Sequence, residues 1–318
     1  MSWREIQKQN FTSWPKLAAF LQIEGLQGYA HPHFPLNLPR RLAEKIEKGN
    51  PHDPVLRQFL PSLEEAHKTP GFSLDPVGDQ GARKSQKLLK KYEGRALLVT
   101  TSACAMHCRF CFRQNFDYVS KDFTFDQELK LIGEDPSITE IILSGGDPLS
   151  LSNTVLQNLI QHIVAIPHVK RLRFHTRFPI GIPERIDAPL LEILQATRLQ
   201  PIFVIHCNHP KELDADIFQA LRRLQALRIP VLNSAVLLRG VNDTPAILHE
   251  LFELLSDHGI LAYYLNQLDR VQGAAHFEVP QQEGLKLLSE LMTSLPGYAV
   301  PRYVQEVAGE PYKTPLYL

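Results

Sequence analysis

The sequence is short of cysteine, of net charge and of long apolar runs, and each shortage excludes a class of protein. Its 318 residues include four cysteines, too few and too clustered for a disulfide framework. Basic and acidic residues balance at 34 each, so no overall field attracts nucleic acid or an anionic membrane. No apolar run approaches the roughly 20 residues that cross a bilayer, and the charged start MSWREIQKQN lacks the apolar core of a secretory signal. We therefore expect a cytoplasmic protein that binds neither nucleic acid nor membrane.

The chain divides into an irregular N-terminal part and a regular remainder. Residues 1–80 are rich in proline, with short helices such as one predicted from Pro39 to Lys48. A basic run follows at 83–95, which we interpret as a solvated helix face. From residue 95 onwards, short β-rich runs alternate with amphipathic helices. The last five runs begin about 30 residues apart, which predicts repeated βα units around a parallel sheet. The runs lie at 96–101, 139–144, 170–175, 201–206, 231–236 and 261–266.

Six such units are too few for a closed eight-stranded barrel. We therefore predict an α/β fold, a partial (β/α)6 barrel of the TIM type, formed by residues 95–318. Residues 1–94 would form a helical extension and connector that packs on this barrel. The spacing alone also fits a doubly wound sheet, so both arrangements remain open at this point.

Three of the cysteines follow directly on the first predicted strand. Cys104, Cys108 and Cys111 form a CxxxCxxC pattern. Three thiolates on one short loop can each bind an iron of a [4Fe–4S] cluster, which leaves the fourth iron open for reaction. A structural zinc site would need a fourth ligand, and His107 lies between two of the cysteines on a tight loop. A chance cluster of buried cysteines is the remaining alternative.

Two further segments lie where predicted strands end. In SGGDPL at 144–149, Gly145 and Gly146 allow the backbone to approach a ligand closely, at the end of a strand where such barrels bind ligands. The motif alone is typical of a turn. Cys207 lies in HCNHP, at the end of the predicted strand 201–206. A lone cysteine there is more typical of a buried small apolar side chain than of a metal ligand.

The CxxxCxxC loop after the first strand of a βα array resembles the radical S-adenosylmethionine (SAM) superfamily, whose partial barrel matches the six predicted units. The resemblance implies that the open iron binds the amino and carboxylate groups of SAM. An external electron donor would then reduce the sulfonium and release a 5′-deoxyadenosyl radical. The resemblance also assigns Gly145, Gly146 and Asp147 to SAM binding, with His206 nearby.

Longer stretches resemble one subfamily, the lysine 2,3-aminomutases, over nearly the whole chain. They are NPHDPVLRQFLPS at 50–62, HTRFPIGIPERI at 175–186, SAVLLRGVND at 234–243, YYLNQLDRVQGAAHF at 263–277 and the final RYVQEVAGEPYKTPLYL. The resemblance implies a second cofactor, pyridoxal phosphate (PLP), carried by Lys313. PLP would carry the amino nitrogen between neighbouring carbons once a radical stands on Cβ. Without the resemblance, Lys313 would be interpreted as a solvated lysine near the terminus.

The same resemblance implies roles for five more charged residues. Arg113 would hold the substrate carboxylate, to which a guanidinium fork is suited. Asp269 and Glu306 would receive the distant ammonium group of lysine. Arg95 and Lys91 would bind the phosphate of PLP. Without the family, each of the five would be interpreted as an ordinary surface or ion-pair residue.

The chain departs from the free-lysine aminomutases in three places. It ends five residues after Lys313, Phe110 stands where histidine is frequent, and Ser234 stands where glutamine is usual, so that a water could replace the missing amide. The short tail, GEPYKTP and CRFCFR instead resemble the bacterial branch that serves elongation factor P. In that branch a separate ligase attaches (R)-β-lysine to the factor.

These patterns predict an L-lysine 2,3-aminomutase, an isomerase, that converts (S)-α-lysine into (R)-β-lysine for elongation factor P. Its partners would be lysine and an electron donor, with a functional link to the factor and its ligase, and a homo-oligomer is one option. Three alternatives stay open: an aminomutase that supplies a free β-amino acid for another use or acts on a different amino acid, a radical SAM enzyme that modifies a macromolecule, and a non-catalytic iron–sulfur protein. Bound PLP would separate the aminomutases from the last two.

Overall fold

One sheet organises the molecule. The computed structural model describes residues 1–25, 34–118 and 123–317, and within these ranges nine strands follow one another across the sheet in chain order. The strands are β1 Leu88–Leu89, β2 Arg95–Thr101, β3 Glu140–Gly145, β4 Arg171–Thr176, β5 Gln200–Ile205, β6 Val231–Val236, β7 Leu261–Asn266, β8 Arg302–Gln305 and β9 Thr314–Pro315. Strands β2 to β8 are all parallel. The two-residue strands β1 and β9 pair antiparallel with the outer members.

The unbroken strand order decides between the two predicted arrangements. A doubly wound sheet reverses its direction at a switch point, whereas here every connection leads to the next position in the same direction. In the part of the chain that the structure describes, β1 and β9 do not pair with each other, so the sheet stays open. The predicted partial barrel is confirmed, and its six strands correspond to β2–β7. A seventh parallel strand, β8, was not predicted because its four residues carry too little pattern.

The N-terminal extension consists of short helices: α1 Trp3–Gln7, α2 Trp14–Leu21, α3 Arg40–Glu44 and α4 Pro54–Arg57. Helix α3 starts after Pro39 as predicted but ends at Glu44 rather than Lys48. The chain bends here because Asp53, at the start of α4, accepts a hydrogen bond from Glu47 N at 3.2 Å. Apolar side chains of the extension, including Leu42, belong to the same hydrophobic core as the barrel strands. The boundary between residues 94 and 95 stays a prediction.

The basic run at 83–95 is not a solvated helix face, and that prediction is wrong. It forms β1 and the start of β2 with intervening turns, because burying Leu88 and Leu89 against β2 outweighs any helical preference of the lysines. Two of its lysines contact carboxylates. Lys90 pairs with Asp135, and Lys91 Nζ lies 2.8 Å from Asp79 Oδ1.

The helices of the barrel lie between its strands, and several of them begin at side-chain caps. They are α5 Asp126–Glu134, α6 Asn153–Val164, α7 Phe178–Gly181, α8 Ala188–Ala196, α9 Ala215–Ala226, α10 Pro245–Asp257 and α11 Gln281–Ser294. The side chains that cap α6, α8, α9 and α10 each accept a backbone N–H of the first turn. The apolar side chains of α9 are buried: Ile217, Phe218, Ala220, Leu221 and Leu224. No helix formed by the described residues is long and apolar enough to cross a bilayer.

Candidate active site

A single large cavity brings the predicted site residues together. Its volume is about 1380 Å³, above the roughly 300–1,000 Å³ of an ordinary small-ligand pocket. Residues at the carboxyl ends of the parallel strands contribute to its wall, where enzymes of the barrel type place their sites. The predicted residues in the wall are Lys91, Arg95, Cys104, Cys108, Cys111, Arg113, Gly145, Gly146, Asp147, His206, Asp269, Glu306 and Lys313. The structure thus places all of them around one volume, and their individual roles stay predictions.

The N-terminal extension fixes the backbone of the cysteine loop, which we define as residues 102–111. The hydrogen bonds between them include Gln7 Nε2 to Cys104 O (3.3 Å), Asn10 Nδ2 to Ala105 O (2.8 Å), His107 N to Asn37 O (2.9 Å) and Arg109 N to Gln58 O (2.9 Å). In addition, the fully buried guanidinium of Arg109 pairs with the carboxylate of Glu65. The loop geometry therefore depends on residues far away in the sequence.

The cysteines form no disulfide and line the cavity. Burial raises the pKa of all three loop thiols, that of Cys111 to about 11, so metal binding must displace their protons. His107 is committed elsewhere, since its Nδ1 lies 2.8 Å from Pro35 O and its ring stacks on Phe34. Among the described residues no three His, Cys, Asp or Glu side chains converge on a single metal ion. Three thiols on one loop instead fit the three irons of a cluster.

The two glycines of the GGDP motif serve the cysteine loop directly. A Cβ at Gly146 would lie 2.3 Å from Ala103 O, and one at Gly145, where φ is +120°, would lie 2.6 Å from Thr101 O. The glycines therefore let the end of β3 approach the loop closely, and Gly146 N donates to Thr101 O at 2.6 Å. From the sequence, the two glycines were predicted to allow the backbone to approach a ligand closely. Within the chain, Gly145 approaches the end of β2 and Gly146 approaches the start of the cysteine loop.

Asp147 connects the ends of two strands. Burial raises the pKa of its carboxyl group, but the oxygens accept hydrogen bonds from Thr176 Oγ1 at 2.8 Å, Arg177 N at 2.8 Å and Leu149 N at 3.0 Å. These bonds fix the segment that follows β4 relative to β3. Asp147 thereby shapes the wall of the cavity beside the cysteine loop.

A group of charged residues occupies another part of the wall. Lys313 Nζ donates to Asn266 Oδ1 at 2.9 Å and lies 3.5 Å from Glu306 Oε2. Glu306 Oε1 accepts from Tyr92 OH at 2.6 Å and from Lys91 Nζ at 3.4 Å. The side chain of Lys313 is 30% exposed, so it is not the freely solvated lysine that its position alone would suggest. Lys313 and Lys91 thus share one carboxylate.

Asp79, which the sequence did not indicate, joins two of the predicted cations. Its carboxylate lies 2.8 Å from Arg113 Nε and 2.8 Å from Lys91 Nζ. Burial alone would raise its pKa, but the two cations outweigh burial and lower the pKa. Arg113 Nη1 also donates to Ser144 Oγ at 3.1 Å. Any ligand carboxylate that Arg113 binds must therefore share this guanidinium with Asp79.

Asp269 lies in the same wall, where burial raises the pKa of its carboxyl group to about 6. The ammonium of Lys313 opposes this shift, and the carboxylate of Glu306 adds to it. Two acids within electrostatic reach of each other would be more stable with an added cation between them.

Between these regions, His206 is neutral because burial lowers its pKa to about 4. Its Nδ1 lies 3.1 Å from Ser234 O, and Ser234 Oγ accepts from Asn266 Nδ2 at 3.0 Å. The hydroxyl of Ser234 therefore orients the same amide that contacts Lys313. The interpretation of Cys207 as a buried apolar residue is confirmed, since its side chain is fully buried.

Two remaining predicted residues have aromatic partners. The guanidinium of Arg95 lies 4.6 Å from the ring centre of Tyr92, beside the charged group. Phe110 packs edge-to-face on Phe277 at 6.0 Å and lies 5.5 Å from the guanidinium of Arg177. An aromatic ring thus occupies the position at which the free-lysine aminomutases frequently have histidine.

Residues 92–176 match the family described as a 4Fe-4S single cluster domain. That range contains the whole cysteine loop and the GGDP motif. An open parallel barrel, with this domain at its start and a cavity at the carboxyl ends of its strands, defines a radical SAM enzyme.

Similar chains narrow this class. The chain is 44% identical to the L-lysine 2,3-aminomutase of Escherichia coli K12, over 89% of this chain and 83% of that relative. It is 42% identical to the one of Haemophilus influenzae, over 88% and 84%. The L-lysine 2,3-aminomutase of Clostridium subterminale is 33% identical, over 85% of this chain and 66% of that relative. The chain belongs to the L-lysine 2,3-aminomutase family and is an isomerase.

Solved structures resemble the chain more distantly. Native anSMEcpe with bound AdoMet gives a TM-score of 0.48 at 14% identity, over 62% of this chain and 58% of that chain. A radical SAM methyltransferase from Sphaerobacter thermophilus gives 0.48 at 18% identity, over 68% of each chain.

Proposed function

We propose that the protein converts (S)-α-lysine into (R)-β-lysine, using a [4Fe–4S] cluster, SAM and PLP. The observation that carries this proposal is the shared cavity. The cysteine loop and a lysine flanked by acids line one volume, in a chain 44% identical to an L-lysine 2,3-aminomutase. When bound, the cluster and SAM would supply a radical at the substrate Cβ, and PLP would supply the π-bonded nitrogen that can migrate.

Residues at the cysteine end of the cavity, where the cysteine loop forms the wall, would hold the cluster and SAM. Cys104, Cys108 and Cys111 would bind three irons, and the fourth iron would face the cavity to bind SAM. Gly146 and Asp147 would keep the loop in place through their bonds to Thr101 and to the segment after β4. Neutral His206 in the same wall could contact SAM without adding charge.

In this proposal Lys313 carries PLP. Its amine reaches the cavity on a segment held by pairing of β9 with β8, and Asn266 Oδ1 orients it at 2.9 Å. Arg95 and Lys91 line the same cavity and would bind the phosphate. Because Lys91 and Lys313 both contact Glu306, the phosphate-binding and carrier groups lie on the same side of the cavity.

The acids give a physical reason for lysine as the substrate. Glu306 now faces the ammonium of Lys313. With PLP attached, Lys313 would no longer offer a full ammonium group to Glu306, which would leave Glu306 and Asp269 able to receive another cation. The distal ammonium of a lysine substrate provides it, while Arg113, shared with Asp79, would hold the substrate carboxylate.

The finer proposal is that (R)-β-lysine serves the modification of elongation factor P. The chain covers 83% of the E. coli relative but 66% of the one from C. subterminale, so it matches the shorter relatives better. In a host that lacks the gene, elongation factor P should lose its β-lysyl mass addition. An unchanged mass would reject this pathway but leave the aminomutase proposal intact.

One experiment tests the activity itself. We would reconstitute the protein anaerobically with iron, sulfide, SAM and PLP, supply a reductant, and analyse the products made from lysine by chiral chromatography. We expect (R)-β-lysine, and none when SAM or PLP is omitted. Active-site cofactors in place but no β-lysine formed would contradict the proposal.

A further inference from the structure

A buried polar network lies beside the cysteine loop and is distinct from the group around Lys313. At its centre is Arg177, which directly follows β4. Its Nη1 donates to Cys108 Sγ at 2.8 Å, and its Nη2 donates to Gln58 Oε1 at 2.7 Å and also to Glu212. All three side chains of the network, Arg177, Gln58 and Glu212, are buried.

The network leaves the guanidinium little freedom. Glu212 Oε1 accepts from the backbone N–H groups of Asn208 and His209, each at 3.0 Å, and from Gln58 Nε2 at 3.2 Å. Gln58 Oε1 also accepts from Asn208 Nδ2 at 3.0 Å. Gln58 comes from the N-terminal extension, so the extension and the barrel together fix the direction of the Arg177 fork.

Burying an arginine and a glutamate costs several kcal/mol in desolvation, which apolar side chains would avoid. If the Arg177–Glu212 pair only stabilised the fold, no guanidinium N–H would need to point at a sulfur atom. The sulfur of Cys108 is the atom of the cysteine loop that accepts a hydrogen bond from the Arg177 guanidinium. It is also the atom through which the network can act on the chemistry of the cavity.

We infer that Arg177 is a positioning residue of the iron–sulfur site, which donates a hydrogen bond to the Cys108 sulfur and sets the reduction potential of the cluster. Gln58 and Glu212 hold its guanidinium at that sulfur. The inference rests on the proposed role of Cys108 as an iron ligand. Hydrogen bonds to cluster sulfurs and the net charge around them are the levers by which proteins tune these potentials.

The signs of the expected effects follow from charge. Reduction adds a negative charge to the cluster, so the positive Arg177 stabilises the reduced form and the negative Glu212 opposes it. Loss of the cation should therefore make the midpoint potential more negative. Loss of the anion alone should make it less negative. Two substitutions with opposite effects on one potential distinguish electrostatic tuning from a purely structural role.

The experiment compares reconstituted holoprotein of the wild type, Arg177→Gln, Arg177→Lys and Glu212→Gln. Midpoint potentials are measured by redox titration followed by electron paramagnetic resonance, together with iron and sulfide content. We expect a more negative potential in Arg177→Gln, partial restoration in Arg177→Lys, and a less negative potential in Glu212→Gln. Arg198→Gln is the matched control: it removes the same charge from a guanidinium that binds backbone carbonyls at the end of α6 and just after it, and its potential should equal that of the wild type.

Each result decides the inference. Unchanged potentials in both Arg177→Gln and Glu212→Gln, or shifts of the same sign, would overturn it. If neither Arg177 variant binds a cluster, Glu212→Gln decides alone by whether its potential rises. Cys108→Ala separates the two levels: a cluster that survives in this variant would refute Cys108 as a ligand, and so the proposed site itself, rather than the role of Arg177.

Discussion

The two ends of the cavity are built in different ways. At the cysteine end, the N-terminal extension fixes the loop backbone, and the charges of Arg109 and Glu65 are fully paired in the core. At the other end, which we call the charged end, Lys91 and Lys313 both contact Glu306 at the wall of an open cavity. The first end is suited to hold a rigid cofactor. The second can exchange internal ion pairs for contacts with a charged substrate.

The largest expected effect lies at the cysteine end. Replacing Cys104, Cys108 or Cys111 by alanine removes one of only three predicted ligands. We expect each variant to lose the stable cluster and all turnover, as measured by iron and sulfide analysis and lysine assays. Cys207→Ala is the control, because its buried thiol lies outside the loop, and it should keep the cluster. A loop variant with a full cluster and normal turnover would refute the assignment.

At the charged end, Lys313→Ala should abolish covalent attachment of PLP and most of the activity. The cluster should remain, because no contact joins Lys313 to the cysteine loop within the described residues. Borohydride reduction followed by peptide mass analysis locates the attachment. Lys286→Ala, an exposed lysine on α11, serves as the control. PLP trapped on a lysine other than Lys313 would show that this site is wrong.

The third prediction concerns the rigidity of the cysteine end. Glu65→Gln leaves the buried Arg109 without its anion, which should destabilise the fold by about 3–5 kcal/mol. The neighbouring Glu64 is exposed, so Glu64→Gln should change the free energy of unfolding by less than about 0.5 kcal/mol. Urea unfolding of the cluster-free proteins measures both. Equal stability of the two variants would show that this pair does not fix the extension to the loop.

The smallest effect is a pH dependence at the charged end. Asp269 has a pKa of about 6, so it carries its charge above this pH and loses it below. Because kcat/KM reports the free enzyme, its value for lysine should fall about tenfold per pH unit below pH 6. Asp269→Asn should lack this acidic limb, whereas Asp257→Asn, at an exposed position on α10, should keep it. If the fall of kcat/KM at acidic pH persists in Asp269→Asn, it reflects the titration of another group.

The sequence was most informative where a pattern is local. Alternating β-rich runs predicted β2–β7, and the spacing of the cysteines identified the loop that the cluster-domain family also covers. The edge strands β1 and β9 were not predicted, because two residues are too few to show the alternation of apolar and polar side chains that marks a strand. The run around Leu88 was mistaken for a helix face because two adjacent leucines among lysines fit either element.

The charged end could be anticipated only through family resemblance. Its residues come from the connector, from β7 and from the last segment, and only the fold brings them together. Asp79 and Arg177 carry no local signal, since each is an ordinary charged residue beside a turn or strand end. Asn266 offered a weak one: it is a polar residue at the carboxyl end of a parallel strand.

The central claim is that the acids of the charged end bind the distal ammonium of lysine. The most direct test measures kcat/KM for lysine and for norleucine, which lacks that ammonium, in the wild type, Asp269→Asn and Glu306→Gln at equal cluster and PLP content. A buried charge without its partner costs roughly 3–5 kcal/mol, a factor of hundreds or more. We therefore predict a preference for lysine of that order in the wild type and its steep loss in both variants. Equal use of norleucine by the wild type, or variants that act on lysine like the wild type, would contradict the claim.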